Sequence, residues 1–292
     1  MYVCFMTKAR KVLVVGSSGF LGTSASRVLQ SSGTEVVSVT KTNFESLINP
    51  GFLNEHEIGT VIWLASRVNP STAQSNPELA KTELREFERV VENCSNSVSN
   101  FVFSSSGGAT YSGETLPYSE NSEANGVNAY GKLKCQMEKV LIESGLPHSI
   151  LRISNVYGPG QVVKNAQGII AALFDAAVNE REFELFGSAS NKRDFVFIDD
   201  LMDLLLRVVE KEIPSGVINA GSGKSTSISE LLEIFSSLTG LIPKIHPVDA
   251  RPIDRTEFWL DISKAKQDLN WSPQVGLEDG LKLTWDSLRQ RT

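Results

Sequence analysis

The first half of the chain alternates short apolar runs with longer segments in which apolar residues recur every three or four positions. A continuous apolar run indicates a buried strand, whereas the three-to-four spacing indicates a helix with one buried face. This pattern predicts strands at 11–15, 35–40, 59–65, 100–105 and 149–153, and helices at 20–29, 79–94 and 129–144. Strands that alternate with helices predict an α/β fold built on a doubly wound parallel sheet.

The alternation stops after Gly158, where the pattern becomes less regular. Helical spacing returns at 168–178 and 229–238, a short strand is predicted at 195–198, and prolines at 243, 247, 252 and 273 separate other short elements. We predict a first domain over 1–155, with a returning segment near 195–222, and a smaller C-terminal α/β lobe over 156–194 and 223–292. A substrate cleft is expected at the seam between the two.

Composition narrows the function classes. The 292 residues carry a formal net charge of −6 with no block of like charge, which argues against a nucleic-acid partner because phosphate backbones need a basic surface. No apolar run approaches the length of about 18 residues that a membrane span needs. Three scattered cysteines favour free thiols in a reducing compartment, and three histidines without ligand spacing predict no metal site. At the N-terminus a short apolar run precedes the positive charges, the wrong order for a signal peptide, so we expect a cytoplasmic protein.

Three glycines follow the first predicted strand. Gly16, Gly19 and Gly22 form a GxxGxxG pattern between that strand and the first helix. Such glycines permit a tight turn and close backbone approach to a pyrophosphate, and the helix N-terminus adds N–H donors, so the pattern predicts a dinucleotide site. Where an acidic residue usually holds the adenosine ribose, at the end of the second strand, the chain has Thr40 and Lys41. Because a lysine attracts a 2′-phosphate that a carboxylate would repel, the predicted cofactor is NAD or NADP, with a lean toward NADP.

Tyr130 and Lys134 stand four residues apart at the start of a predicted helix and therefore share one face. A neighbouring ammonium group favours the phenolate form of a tyrosine, which can then move a proton while hydride passes to or from nicotinamide. Ser104, Ser105 and Ser106 end a predicted strand upstream, where a hydroxyl can hydrogen-bond the reacting oxygen. Taken singly, these patterns also fit a half-buried tyrosine over a lysine stem and a polar strand end.

Eight segments, in unbroken order, resemble the extended short-chain dehydrogenases/reductases, the NAD-dependent epimerase/dehydratase family with its UDP-galactose 4-epimerase-like nucleotide-sugar enzymes. They are KVLVVGSSGFLG (11–22), NFVFSSSGGATYSG (100–113), NAYGKLKCQME (128–138), LRISNVYGPGQ (151–161), KRDFVFIDDL (192–201), GVINAGSGKSTSISELL (216–232), ARPIDR (250–255) and DISKAKQDLNWSP (261–273). The resemblance covers nearly the whole chain after residue 10. It implies a Rossmann-type sheet that binds the cofactor, a nucleotide-diphosphate sugar as substrate, and a homodimer.

The resemblance also implies roles for individual residues. Ser106, Tyr130 and Lys134 would form the catalytic group, with Ser105 as the alternative to Ser106 because the loop before Tyr111 is one residue longer than the usual type. The implied cofactor-binding residues are Gly16, Ser18, Gly19, Phe20, Leu21, Gly22, Thr40, Lys41, Leu64, Ala65, Ser66, Tyr130 and Lys134. The implied substrate-binding residues are Ser106, Asn155, Arg193 and Arg251, of which the two arginines would grip the diphosphate with their planar guanidinium groups.

The chain departs from the family pattern in its cofactor half. Thr40 replaces the acidic residue after the second strand, Trp63 replaces the histidine of an HxAA-type segment, and Glu83 replaces a helix asparagine. The stretch from 40 to 60 is also shorter than in the family. These departures leave the catalytic group intact.

Four reactions run on this scaffold: 4-epimerisation, 4,6-dehydration, 4-keto reduction, and oxidation at C1 or C4. Dehydratases of the family carry an Asp-Glu pair after the strand-end hydroxyl, where this chain has Gly107, Gly108, Ala109 and Thr110, so dehydration is not expected. We predict a nucleotide-sugar 4-epimerase, with an NADPH-dependent 4-keto-sugar reductase as the first alternative. An NADP-binding regulatory protein without catalysis is the second alternative, and the presence of both Tyr130 and Lys134 argues against it.

Overall fold

A computed structural model of the protein describes residues 11–94, 98–162, 168–211, 216–250 and 255–290. Its strands are β1 (Lys11–Val15), β2 (Val36–Val39), β3 (Ile58–Trp63), β4 (Asn100–Ser106), β5 (His148–Ile153), β6 (Asn155–Tyr157), β7 (Glu182–Phe186), β8 (Lys192–Arg193), β9 (Phe195–Phe197), β10 (Gly216–Ala220), β11 (Thr226–Ser227) and β12 (Lys244–Val248). Its helices are α1 (Phe20–Ser31), α2 (Phe44–Leu47), α3 (Phe52–Glu55), α4 (Pro70–Ser75), α5 (Pro77–Cys94), α6 (Gly107–Thr110), α7 (Ala129–Glu143), α8 (Ile169–Val178), α9 (Ile198–Glu210), α10 (Ile228–Thr239), α11 (Ser263–Leu269) and α12 (Leu277–Arg289). Among the helices of these described ranges, none combines the length and apolar character that crossing a membrane requires.

A six-stranded parallel sheet forms the centre of the fold, with its strands in the order β10-β5-β4-β3-β1-β2. The doubly wound sheet that the sequence predicts is therefore confirmed. Strand β1 pairs with β2 on one side and with β3 on the other, so the strand order reverses there and a ligand-binding crevice opens at the carboxyl ends of the strands. Strand β10 lies beside β5, within the segment that we expect to return to the first domain, while the domain bounds themselves stay a prediction.

The sheet is covered by apolar layers on both faces. Val12 and Val14 of β1 belong to the layer that contacts α1 and α9, whereas Leu13 and Val15 belong to the layer with Phe103 that contacts α5 and α7. Successive side chains of a strand point to opposite faces, so a strand covered on both sides is apolar at every position. This burial is the reason that β1 appears in the sequence as a continuous apolar run.

The C-terminal lobe is built from small strand pairs and three packed helices. Strand β7 pairs with β12, β6 with β9, and β8 with β11. Phe174 of α8 packs against Phe235 of α10 and Trp285 of α12, with ring centroids 5.0 Å and 5.9 Å apart. The expectation that the tail holds only short elements is wrong, because α12 is 13 residues long. This helix begins after the last proline, Pro273, and contains no proline itself.

Candidate active site

The turn between β1 and α1 requires its glycines. Gly16 has a φ of +89°, and a Cβ atom there would lie 2.8 Å from the backbone nitrogen of Ala65. A Cβ atom on Gly22 would overlap the Gly16 carbonyl oxygen. Gly19 precedes α1 and provides no side chain to cap it, so the first N–H groups of the helix face the space in front of the turn. The turn thus offers a close, donor-lined approach for a phosphate group.

A cavity of about 650 Å³ lies beside this turn, toward β2. Its lining residues are Ser17, Ser18, Thr23, Ser26, Arg27, Gln30, Ser31, Ser38 and Thr40, and this set contains no carboxylate. The Thr40 hydroxyl and backbone nitrogen both bond to the Asn43 side chain, at 3.1 Å and 2.7 Å, in a local turn. Lys41 is exposed next to this cavity without lining it, whereas Arg27, which the sequence analysis did not single out, supplies a cation to the wall.

A second cavity, of about 1040 Å³, lies at the carboxyl edge of the sheet and reaches into the C-terminal lobe. The sequence-predicted residues that line it are Leu21, Leu64, Ala65, Ser66, Ser105, Ser106, Tyr130, Lys134, Asn155 and Arg193. It brings the predicted catalytic group, part of the predicted cofactor site and part of the predicted substrate site together in one space. Arg251, the other predicted diphosphate ligand, lies outside the described residues.

Tyr130 and Lys134 lie on one face of α7, as their spacing indicates. The Asn128 side chain caps this helix by accepting a hydrogen bond of 2.8 Å from the Gly131 nitrogen. Lys134 is only 2% exposed; its Nζ atom lies 5.6 Å from the Tyr130 ring centroid and donates a hydrogen bond of 3.3 Å to the Ser104 carbonyl oxygen. The positive charge is thereby fixed over the ring of the phenol.

The three serines at the end of β4 have different partners. The Ser104 hydroxyl donates to the Trp63 carbonyl oxygen at 2.9 Å, and the buried Ser105 hydroxyl donates to the Glu138 carboxylate. Ser106 is half-buried in the cavity wall, and its hydroxyl bonds to no other group of the described residues. Of the three, Ser106 is therefore the one whose proton is available to a ligand.

A buried ion pair holds Ser105 in place. Glu138 lies two turns after Tyr130 on α7 and pairs with Arg152 of β5, whose Nη2 atom is 2.6 Å from its carboxylate. The Arg152 guanidinium also stacks on the Tyr111 ring, 4.6 Å from its centroid. This network joins α7 to β4 and β5 beside the part of the cavity wall that Ser106 and Tyr130 form. The sequence analysis missed it because its members are distant in sequence.

Other tyrosines near the site are poor proton carriers. Burial raises the pKa of Tyr111 to about 12, and its hydroxyl donates to the Asn219 side chain at 2.6 Å. Burial also raises the pKa of Tyr157, which lines the cavity and points its hydroxyl at the Leu277 carbonyl oxygen. Both phenols therefore stay neutral at physiological pH. Tyr130 lacks this burial and is half-exposed to the cavity.

Asp194 organises the side of the cavity that carries Asn155 and Arg193. Asn155 donates from its side chain to the Asp194 carbonyl oxygen at 2.9 Å. The Asp194 carboxylate accepts from the Ser222 and Leu260 backbone nitrogens at 2.6 Å and 3.1 Å, and burial raises its pKa. The neighbouring Arg193 extends its guanidinium along the cavity wall, where it also donates to a backbone carbonyl.

The short helix α6 after Ser106 has no ionisable side chain, and its first residue is tightly packed. A Cβ atom on Gly107 would lie 3.1 Å from the Leu260 side chain and 3.2 Å from the Phe258 ring. Arg255, another residue that the sequence analysis did not single out, lines the cavity beside Phe258 and bonds to the Tyr118 hydroxyl. A Cβ atom on Gly108 would make only ordinary contact with the Phe258 ring, so it is the residue types of this segment that leave 4,6-dehydration without an acid–base pair.

Known proteins share both sequence and fold with this chain. A dTDP-4-dehydro-6-deoxyglucose reductase from Escherichia coli is 30% identical over 246 residues, which cover 81% of this chain and 77% of that protein. The crystal structure of a UDP-glucose 4-epimerase with UDP-glucose from Thermotoga maritima superposes with a TM-score of 0.88 at 28% identity, covering 96% of this chain and 99% of that one. MoeE5 in complex with UDP-glucuronic acid and NAD gives 0.87 at 26% identity, covering 97% and 100%. The family model described as the NAD dependent epimerase/dehydratase family matches residues 12–221, and the chain belongs to this family.

Proposed function

We propose that this chain is a nucleotide-sugar 4-epimerase that acts by reversible hydride transfer at C4 of a UDP-hexose. The observation that carries the proposal is the cavity that joins Ser106, Tyr130 and Lys134 to Arg193 and to Leu21, in the first turn of α1 directly after the phosphate-binding turn. Epimerisation at C4 needs no further acid or base, and the loop that begins at Gly107 provides none. The likeness to the Thermotoga maritima epimerase, which was crystallised with UDP-glucose, supports this reaction and this substrate class.

The described residues fit a nicotinamide dinucleotide. The turn from Gly16 to Gly22 would hold its pyrophosphate, and the segment from Leu64 to Ser66 would face its nicotinamide half. When bound, the dinucleotide supplies the hydride acceptor and donor. NAD is the cofactor seen with MoeE5, and it is the form that an epimerase recycles without release.

The catalytic residues divide the work at C4. Tyr130 takes the proton of the C4 hydroxyl as hydride leaves the carbon. It returns that proton to the C4 oxygen after the keto sugar has rotated and hydride has come back to its opposite face. Lys134 holds a fixed positive charge beside the Tyr130 ring, where it stabilises the negative charge that develops on the phenolic oxygen during the transfer. Ser106 donates a hydrogen bond from its free hydroxyl to the C4 oxygen and stabilises the charge that develops there.

The substrate is held from the other lobe. Arg193 and Arg251 would grip the diphosphate, since planar guanidinium groups match phosphate oxygens, and Asn155 would contact the sugar. We further propose a homodimer in the cytoplasm. The reducing compartment is supported by the free thiols of Cys94 and Cys135, whose pKa values burial raises to about 12 and about 11.

An NADPH-dependent 4-keto-sugar reductase is the second candidate. The cavity beside β2 favours it, because Arg27 lies in the wall and no carboxylate lines it to repel a 2′-phosphate. Lys41 stands next to this wall and would add a second cation. The Escherichia coli relative carries a reductase name, which supports the same alternative.

The dinucleotide released by the purified protein on denaturation separates the two candidates. We expect NAD in stoichiometric amount, recovered by chromatography and identified by mass, because an epimerase keeps and recycles its cofactor. The protein as purified is also expected to interconvert UDP-glucose and UDP-galactose without added dinucleotide. An empty protein that binds NADPH in preference to NADH and performs no interconversion would replace the epimerase with the reductase.

A further inference from the structure

A buried carboxylate supports the cavity wall that follows β3. Glu83 of α5 is only 2% exposed, and no ion pair within the described ranges reaches it. One of its oxygens accepts from the Ser66 hydroxyl at 2.9 Å, and the other accepts from the backbone nitrogens of Arg67 and Val68 at 2.7 Å and 3.3 Å. Three donors of one short segment thus converge on a single side chain.

These contacts determine how Ser66 can interact with a ligand. A serine hydroxyl has one proton and two lone pairs. The two protein groups near the Ser66 oxygen, the Glu83 carboxylate at 2.9 Å and the Val68 carbonyl at 2.8 Å, are both acceptors. The Ser66 proton points into the protein, whichever of these two groups accepts it. Toward the cavity, the Ser66 oxygen can therefore only accept a hydrogen bond.

The place of Ser66 in the sheet identifies the part of the ligand that it faces. Strand β3 lies on the opposite side of β1 from β2, and the phosphate-binding turn follows β1. A dinucleotide that crosses such a crevice has its adenosine toward the β2 side and its nicotinamide riboside toward the β3 side. Ser66 lines the same cavity as Tyr130, where the nicotinamide must meet the substrate.

We propose that Ser66, oriented by Glu83, accepts a hydrogen bond from the nicotinamide riboside half of the cofactor, either from a ribose hydroxyl or from the carboxamide N–H₂. Glu83 is then a positioning residue, which acts on the cofactor through Ser66. A phosphate oxygen, which has no proton to donate, is excluded from this position. The proposal rests on the proposed function, since it requires that a nicotinamide dinucleotide binds.

Calorimetric titration with NAD, on protein from which the bound dinucleotide has first been removed, tests the proposal. Ser66→Ala removes the acceptor and is expected to weaken NAD binding about fivefold, the loss of one neutral hydrogen bond. Glu83→Ala removes the side chain that holds the Ser66 hydroxyl and the Arg67 and Val68 backbone N–H groups. Glu83→Gln keeps these contacts, because its amide oxygen can accept from the backbone groups and its N–H₂ can donate to one lone pair of Ser66. The Ser66 proton then goes to the Val68 carbonyl, and the second lone pair still faces the cavity.

We expect a loss of similar size in Glu83→Ala, no additional loss when it is combined with Ser66→Ala, and near wild-type binding of NAD in Glu83→Gln. Glu86→Gln, which changes the carboxylate that pairs with the Arg67 side chain, is the matched control and should bind NAD like the wild type.

Two further ligands separate the sources of the donor and exclude a purely structural effect. AMP lacks the nicotinamide riboside and should bind all variants alike. The 3-acetylpyridine analogue of NAD lacks the carboxamide N–H₂. If Ser66→Ala weakens NAD but not the analogue, the carboxamide is the donor; if it weakens both equally, a ribose hydroxyl is.

Three results would overturn the assignment. The first is wild-type affinity for NAD in Ser66→Ala. The second is a Glu83→Ala loss that persists in full on the Ser66→Ala background, and the third is equal weakening of AMP. A wild-type protein that binds no dinucleotide at all would remove the proposed function as well, so the two failures are distinguishable.

Discussion

Replacing Tyr130 with phenylalanine is expected to lower kcat by roughly 10² to 10⁴-fold, the usual contribution of a positioned acid–base group. The variant removes only the phenolic oxygen, while the ring and the Lys134 charge beside it remain. The phosphate-binding turn lies on a different element, so the dinucleotide should stay bound in the same amount. Steady-state rates of UDP-hexose interconversion, together with the quantity of dinucleotide released on denaturation, measure both effects.

Tyr111→Phe is the control for that variant. Tyr111 stacks against the Arg152 guanidinium and does not line the cavity, and its hydroxyl bonds to Asn219. Loss of this hydrogen bond should reduce the free energy of unfolding by about 1 kcal/mol and leave kcat close to the wild-type value. Equal rates for wild type and Tyr130→Phe would refute the role of Tyr130 in proton transfer.

Replacing Ser106 with alanine is expected to lower kcat by roughly 10² to 10³-fold, the cost of removing one preorganised donor to a developing oxyanion. The reason is structural: the Ser106 hydroxyl lies in the cavity wall and has no partner elsewhere in the described part of the chain. Since the same contact is stronger in the transition state than in the ground state, KM should change much less than kcat. Initial rates over a range of UDP-hexose concentrations separate the two parameters.

Ser105→Ala is the matched comparison one residue away. Its hydroxyl donates to Glu138, and the Arg152 guanidinium would remain on that carboxylate. We expect a loss of about 1 to 2 kcal/mol in the free energy of unfolding and little change in kcat. A large kcat defect in Ser105→Ala with a near-normal Ser106→Ala would reverse the assignment of the two serines.

The central sheet was predictable because its strands are buried on both faces. Strand β1 was predicted with its observed bounds, and β3 was predicted one residue late at its start and two residues too long at its end. The edge strand β10 was not predicted as a strand. Helices α2 and α3 were not predicted, because each has four residues and shows no helical period. Helix α12 was missed for another reason: the prolines before it suggested an irregular tail.

The candidate site was predictable only where its residues are near one another in sequence. The spacing of Tyr130 and Lys134 was sufficient to place both on one face of α7. The choice between Ser105 and Ser106 could not be made from the sequence, because it depends on Glu138 and Arg152, which come from other elements. Sequence reasoning treated Glu83 as a departure from the family, and only its contacts with the segment after β3 suggest what it does.

The sequence analysis located the glycine-rich turn correctly, but it did not show why individual glycines are required there. The steric need for Gly16 and Gly22 follows from the close approach of Ala65 and of the turn itself, which no spacing rule contains. Lys41 was chosen as the cation for a 2′-phosphate because it follows the second strand. The wall of the adjoining cavity instead includes Arg27, which comes from α1 and is remote from Lys41 in sequence.

The fate of a C4 deuterium atom tests hydride transfer at C4 most directly. UDP-glucose that carries deuterium at C4 is incubated with the purified protein, and the UDP-galactose formed is examined by NMR and mass spectrometry. Because hydride would leave C4 and return to the same carbon, we predict product that keeps its deuterium at C4 with none lost to water. Product with protium at C4, or no UDP-galactose at all, would contradict the account.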